Sequence, residues 1–146
     1  VDDPLLKKMK AFEYQHTVRF RESDPAQILF FGNTLHIAHD AYEEWVKSMG
    51  FSYEEWFLSP QVIYPLRAAH QEFLKPLTPG QTYTLRVVVK ELGETSFTLL
   101  FSFFDENKNL CCSVETVHVC VDRKTMRKQK ISPRLEQELS LRKASL

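Results

Sequence analysis

Asp24 opens the stretch of the chain whose residue types best suit chemistry, "SDPAQILFFGN" (23–33). One carboxylate precedes an apolar run, and a Gly-Asn pair closes that run where a helix is due to begin. Two readings compete. Ser-Asp-Pro is a common turn opener, so Asp24 can be a turn acid. It can also be a working acid, because the stretch supplies both halves of an acyl transfer. A carboxylate serves as nucleophile or as base on water. The start of a helix near Phe31–Thr34 offers unpaired N–H groups and a positive dipole end for charge developing on a carbonyl oxygen. Ile28, Leu29, Phe30 and Phe31 would exclude water and hold an acyl or aryl group. Desolvation by that run would push the acidity of Asp24 one way and the helix end would push it the other.

Other chemistry-bearing residues have plainer readings. His36, His39, Asp40 and Glu43 have spacings that suit a metal, but such sites draw ligands from several facing helices and only one long helix is evident, so no metal is expected. Glu43 and Glu44 read as a solvated helix face. Cys111, Cys112 and Cys120 lie on a strand and read as packing residues. His70 and His118 read as ordinary strand residues. "DRKTMRKQK" (122–130) concentrates five cations, among them Arg123 and Lys124, which suits either a phosphate-bearing ligand or a solvated strand end.

The elements that must position Asp24 follow from periodicity. Residues 13–21 alternate as a strand. From Asn33 or Thr34, either a plausible N-cap, Leu35, Ala38, Ala41, Tyr42, Trp45 and Met49 recur at helical spacing, and Gly50 ends the helix. Ser52, with Glu55 three residues on, caps a short further helix. Residues 62–74 form a strand that Pro65 marks as an edge or a bulge. Strands at 82–91, from Phe97 onward, and at about 110–122 follow, joined by turns at 75–81, 93–96 and 105–109. The last strand changes parity between Val114 and Val117, which predicts a β-bulge near Glu115–Thr116. Ser132 and Pro133 start a terminal helix over 132–143. The expected fold is α+β: an antiparallel five-stranded sheet wrapped around one long helix. Leu100, Phe104 and Val88 on its outer face predict cover by a second copy.

At 146 residues the chain is expected to be a single domain, 1–146, with its core about 13–122. Nineteen basic and nineteen acidic residues cancel, which argues against a nucleic-acid partner. Three crowded cysteines are no disulfide framework and point to a reducing, cytoplasmic setting. No apolar run approaches a membrane span and no signal peptide is visible at Val1, so no membrane partner is expected.

Two stretches, "RFRESDPAQILFFGNTLHIAHDAYEEW" (19–45) and "FLKPLTPGQTYTLRVVV" (73–89), resemble the hotdog-fold acyl-CoA thioesterases of the 4-hydroxybenzoyl-CoA thioesterase type. The resemblance implies hydrolysis of an aliphatic or aromatic acyl-CoA to free acid and CoA, with no cofactor. It implies a homodimer joined sheet edge to sheet edge, often paired into a homotetramer, with active sites between subunits. Asp24 matches the family's catalytic aspartate, a nucleophile in some members and a general base in others. Phe31 matches the position whose backbone N–H contacts the thioester carbonyl. Gln27 stands where Gly is common, and Phe31 where some relatives carry His. Gln27, Ile28, Phe30, Asn33 and Tyr42 are the implied substrate contacts. Lys90 and Ser96 fall where family members contact the CoA arm, and Arg123 and Lys124 join them as CoA-binding candidates. Some relatives carry the acid on the long helix, which makes Glu43 or Glu44 a reserve. The rival readings are a hotdog hydratase or dehydratase, which needs a carboxylate–histidine pair, and a non-catalytic acyl-CoA-binding protein.

Overall fold

Alternation and turn chemistry set the sheet. The computed structural model describes residues 11–144. Strand β1 (Phe12–Thr17) is followed by a single 3-10 turn (Phe20–Glu22) and by the long helix α1 (Phe31–Ser48). Then come α2 (Tyr53–Phe57), β2 (Val62–Ile63), β3 (Leu66–Phe73), β4 (Thr82–Leu92), β5 (Ser96–Phe104), β6 (Leu110–Val119), β7 (Val121–Asp122) and α3 (Pro133–Leu141). Five strands form one antiparallel sheet in the order β1-β4-β5-β6-β3, and β2 pairs separately with β7. Inward residues Tyr83, Leu85, Val87 and Val89 of β4 and Phe97, Leu99, Phe101 and Phe103 of β5 are buried, as a half-buried strand requires.

That face closes on α1. The helix buries Ile37, Ala38, Ala41, Tyr42, Trp45 and Val46 against the sheet, each large apolar side chain contributing roughly 1.5–3 kcal/mol. This is the expected hotdog arrangement, a sheet wrapped around one long helix. Leu35, placed in the stripe by spacing, is instead 37% exposed near the helix start. The short helices obey their caps: Ser52 Oγ accepts from the Glu55 N–H and Ser132 Oγ from the Leu135 N–H. Gly50 follows α1 with φ +88°, the left-handed backbone that ends many helices. Beyond β1, the exposed edge of β4 is covered by the C-terminal segment: the Val89 N–H donates to the Arg142 carbonyl and the Ala144 N–H to the Val89 carbonyl.

Three expectations change. The first strand stops at Thr17, because residues 19–23 wind into the 3-10 turn, the Glu22 N–H donating to the Arg19 carbonyl. Helix α1 starts at Phe31, with extended Phe30 as its N-cap and no side-chain cap, so Asn33 and Thr34 lie inside its first turn. The predicted bulge at Glu115–Thr116 is absent: β5 and β6 pair without a break from Ser96↔Val119 to Phe103↔Cys112. Thr116 and His118 simply stay on the buried face, where the Thr116 hydroxyl and His118 Nε2 share a hydrogen bond of 2.8 Å. Two polar side chains that satisfy each other imitate, in the sequence, a change of parity. The irregularities sit elsewhere, between Leu66 and Ala68, between Val89 and Glu91, and opposite Phe103–Phe104.

The register defines two ends of the sheet. Thr17, Thr82, Phe104, Leu110 and Phe73 lie at one end, and Leu92, Ser96, Val119 and Leu66 at the other. Strand β3 is an edge strand almost wholly exposed, with Leu66 51% and Phe73 45% accessible.

Candidate active site

The segment between β1 and α1 is a closed loop hung on Glu22. The Glu22 carbonyl accepts from the Phe30 N–H and from Asn33 Nδ2, both at 2.9 Å. Its carboxylate accepts from the Arg19 N–H at 2.7 Å and meets His16 Nε2 at 2.9 Å. Partial burial opposes ionisation of Glu22, but these partners outweigh it and hold the carboxyl below its ordinary value. Inside this frame Ser23 bridges Leu29, and the Asp24 N–H donates to the Ile28 carbonyl. Leu29, buried at 5% exposure, fastens the loop to the chain before β4 through the Leu77 carbonyl.

Asp24 therefore sits at the base of a tight turn. The Gln27 N–H donates to its carbonyl at 2.9 Å, and the Ala26 N–H to its Oδ1 at 2.8 Å. The turn reading is correct for one oxygen; the other carboxylate oxygen has no hydrogen bond among the described residues. Gln27 carries φ +64°, a conformation that favours glycine. The Gly common in the resembling family has its physical reason here.

Asp24 also stands where two cavities meet. One, about 360 Å³, is mainly apolar: Ile28, Leu29, Phe31, Phe73, Leu74 and Leu77 line it together with Asp24. The other, about 830 Å³, is bounded by Phe20, Arg21, Ser23, Pro25, Gln27 and Thr78. The mouth of α1 borders the apolar cavity through Phe31. The Asn33 N–H turns back to the Phe30 carbonyl, while the Phe31 and Gly32 N–H groups have no acceptor among the described residues. Asp24 and Phe31, the first residue of α1, thus border one apolar cavity, an arrangement suited to acyl transfer from a thioester.

Of the residues singled out in the sequence, Asp24, Gln27, Ile28 and Phe31 come together here. Phe30, 43% exposed, stacks beside Phe31 with ring centroids 4.7 Å apart. Asn33 has its amide occupied in holding the loop. Tyr42 lies two to three turns along α1 in a third cavity of about 330 Å³ with His39, Trp56, Phe57, Tyr64, Leu66 and His118. Lys90, Ser96, Arg123 and Lys124 are at the opposite end of the strands from Asp24 in the same chain. Lys90 is paired with Glu115, and Arg123 donates to the Ser59 carbonyl at 2.6 Å. Glu43 and Glu44 line neither cavity at Asp24. Among the described residues no group of His, Cys, Asp and Glu is gathered as a metal site, and no helix is long and apolar enough to cross a membrane. Sequence reasoning passed over Phe20, Arg21 and Glu22, because the strand expected over 13–21 ends four residues earlier, at Thr17, and the chain turns there.

Known proteins share this fold. Residues 18–139 match the thioesterase-like superfamily. The chain is 29% identical over 129 residues to a 1,4-dihydroxy-2-naphthoyl-CoA hydrolase of Nostoc punctiforme, covering 88% of this chain and 86% of that protein. It is 30% identical over 111 residues to the protein of the same name in Acaryochloris marina, covering 75% and 81%. A solved 1,4-dihydroxy-2-naphthoyl-CoA thioesterase from Synechocystis superposes with a TM-score of 0.82 at 21% identity, over 90% of this chain and 96% of that one. The sheet, the buried helix and the match over most of the chain lead to one conclusion: the chain belongs to the thioesterase-like superfamily and is a hotdog-fold thioesterase.

Proposed function

We propose that the chain hydrolyses an aryl-CoA thioester bearing ring hydroxyls, that Asp24 is its reacting carboxylate, and that the Phe31 N–H binds the thioester oxygen. One observation supports the reading: Asp24, with one carboxylate oxygen unpaired among the described residues, lines the same apolar cavity as Phe31, whose N–H has no acceptor among them. The acyl carbonyl enters that cavity with its oxygen toward the helix mouth. Asp24 either attacks the carbon, forming a mixed anhydride that water then opens, or takes a proton from an attacking water. In both routes the C–S bond breaks, CoA leaves as the thiolate, and the developing oxyanion is held by amides at the positive end of α1. Label found in the Asp24 carboxyl after a single turnover in ¹⁸O-water marks the nucleophilic route, because only an anhydride opened at the Asp24 carbon puts water oxygen there.

The relatives' names direct the substrate choice. Relatives similar in sequence are named for 1,4-dihydroxy-2-naphthoyl-CoA, and the cavity here is lined by Phe31 and Phe73, suited to a flat ring. A second copy of the chain completes the picture. The unpaired edge of β3 invites antiparallel pairing with its own copy. Full pairing of residues 66–73 sets Leu66 of one copy opposite Phe73 of the other. The aromatic cavity around Tyr42, which includes Leu66, then faces the Asp24 cavity, which includes Phe73. An acyl ring too long for one cavity extends into the other.

The test is release of free thiol from a panel of CoA thioesters, with sedimentation of the protein alongside. Fast turnover of hydroxyaryl thioesters, slower turnover of aliphatic ones and a dimeric mass support the reading. Tight binding without thiol release means an acyl-CoA-binding protein, and water addition to the acyl chain means a hydratase; either outcome removes it.

A further inference from the structure

Asp24 separates two cavities of unlike character, and the proposed reaction needs only one of them for the acyl group. The larger, about 830 Å³, begins at Asp24 and ends against the 3-10 turn. That turn puts Phe20 into solvent at 86% exposure, a large apolar ring with no packing role. Arg21 beside it is exposed, lines the same cavity, and makes no ion pair or side-chain hydrogen bond among the described residues. The wall opposite is Thr78 and Pro79. A cationic fork and an exposed aromatic face at the end of a channel leading from the reacting carboxylate suit a phosphate-bearing nucleotide: guanidinium pairs with phosphate oxygens, and ring stacks on base.

We infer that the cleft formed by Phe20, Arg21, Thr78 and Pro79 is where the nucleotide end of CoA docks, with Arg21 on its phosphates and Phe20 against its adenine. This deepens the thioesterase reading and rests on it. A thioester held at Asp24 has its acyl side in the apolar cavity and its pantetheine arm in the larger one, so the arm leads toward Arg21. The basic residues of 122–130 lie at the other end of the same chain's strands. The site is built by the same 3-10 turn that carries Glu22, so nucleotide binding and the Asp24 loop share one frame.

Two thioesters with one acyl group decide the matter: 1,4-dihydroxy-2-naphthoyl-CoA, and the same acyl group on pantetheine, which lacks the nucleotide. Arg21→Glu is expected to lower the ratio of kcat/KM for the CoA ester to that for the pantetheine ester by about tenfold or more. Phe20→Ala is expected to lower it by severalfold, and Arg21→Lys to fall between wild type and Arg21→Glu. The Arg21→Glu loss should shrink with added salt, as a surface charge contact does. A ratio unchanged in Arg21→Glu overturns the assignment, as does a carrier-protein thioester on which alone the variant acts. If no thioester is turned over, the thioesterase reading fails separately. Calorimetry of coenzyme A with the Asp24→Asn protein then still tests the cleft: binding weakened about tenfold by Arg21→Glu supports it, and equal binding overturns it.

Discussion

The two ends of α1 are built on opposite terms. At its C-terminal half aromatic packing dominates, and several buried polar atoms are paired, though Trp45 Nε1 and His118 Nδ1 have no side-chain partner among the described residues. Trp56 Nε1 donates to the Tyr42 hydroxyl at 2.7 Å, Thr116 pairs with His118, and the His118 ring lies stacked between Tyr42 and Phe97 with centroids 4.8 and 5.0 Å away. At the N-terminal mouth, Phe31 is 61% exposed, the first amides and one Asp24 oxygen have no partner among the described residues, and Gln27 holds a left-handed backbone. One end is packed with aromatic rings, and the other leaves the hydrogen-bonding capacity that the proposed reaction uses. Local departures from good structure that cluster in one place mark the site better than any single residue type.

Substitutions can break this contrast in either direction. Asp24→Asn is expected to reduce kcat about a thousandfold or more while leaving the melting temperature equal or slightly raised, measured by thiol release and by calorimetry. At the other end Trp45→Ala removes a fully buried ring and should cost roughly 3–5 kcal/mol in urea unfolding. If Trp45→Ala instead spares stability, the division of labour is wrong.

His118 gives the stable end a pH signature. Burial, with His39 adding to it and the main chain of Tyr64 opposing it, lowers its pKa from 6.5 to about 4. Between those values the unfolded chain binds a proton that the folded chain refuses. Stability from this group is therefore complete above pH 6.5 and is lost as pH falls toward 4, by up to about 3 kcal/mol. Urea midpoints across that window should slope in the wild type and flatten in His118→Gln; parallel slopes would place the titration elsewhere. Smaller again, Gln27→Gly should stabilise by about 1 kcal/mol by relieving the φ of +64°, with activity retained if Gln27 supplies no substrate contact.

The sequence made the stable end legible and the reactive end only partly so. Apolar spacing placed Tyr42, Trp45 and Met49 on one face of α1, and Ser52, Gly50 and Ser132 marked helix ends by chemistry that the structure uses. It misplaced the start of α1 because Phe30 acts as N-cap through backbone conformation alone, which no residue type announces. Hydropathy also assigned His118 to no special place, since a buried His–Thr pair looks polar one residue at a time. Arg21 and Glu22 were hidden by a strand pattern that the chain abandons at Thr17. Of the two readings of Asp24, the structure shows the turn role, one oxygen closing the turn, while the other oxygen is unpaired among the described residues and is the one the proposed reaction uses.

The account turns on an amide rather than a side chain, and proline can remove it. Phe31 is the first residue of α1, where proline is tolerated, and Phe30 already has the extended backbone (φ −66°, ψ 131°) that a following proline requires. Phe31→Ala removes the ring and keeps the N–H; Phe31→Pro removes both. With circular dichroism unchanged, kcat for a hydroxyaryl-CoA thioester should be about 10²–10³ lower in Phe31→Pro than in Phe31→Ala. Equal kcat in the two variants would contradict the assignment of that amide to the oxyanion.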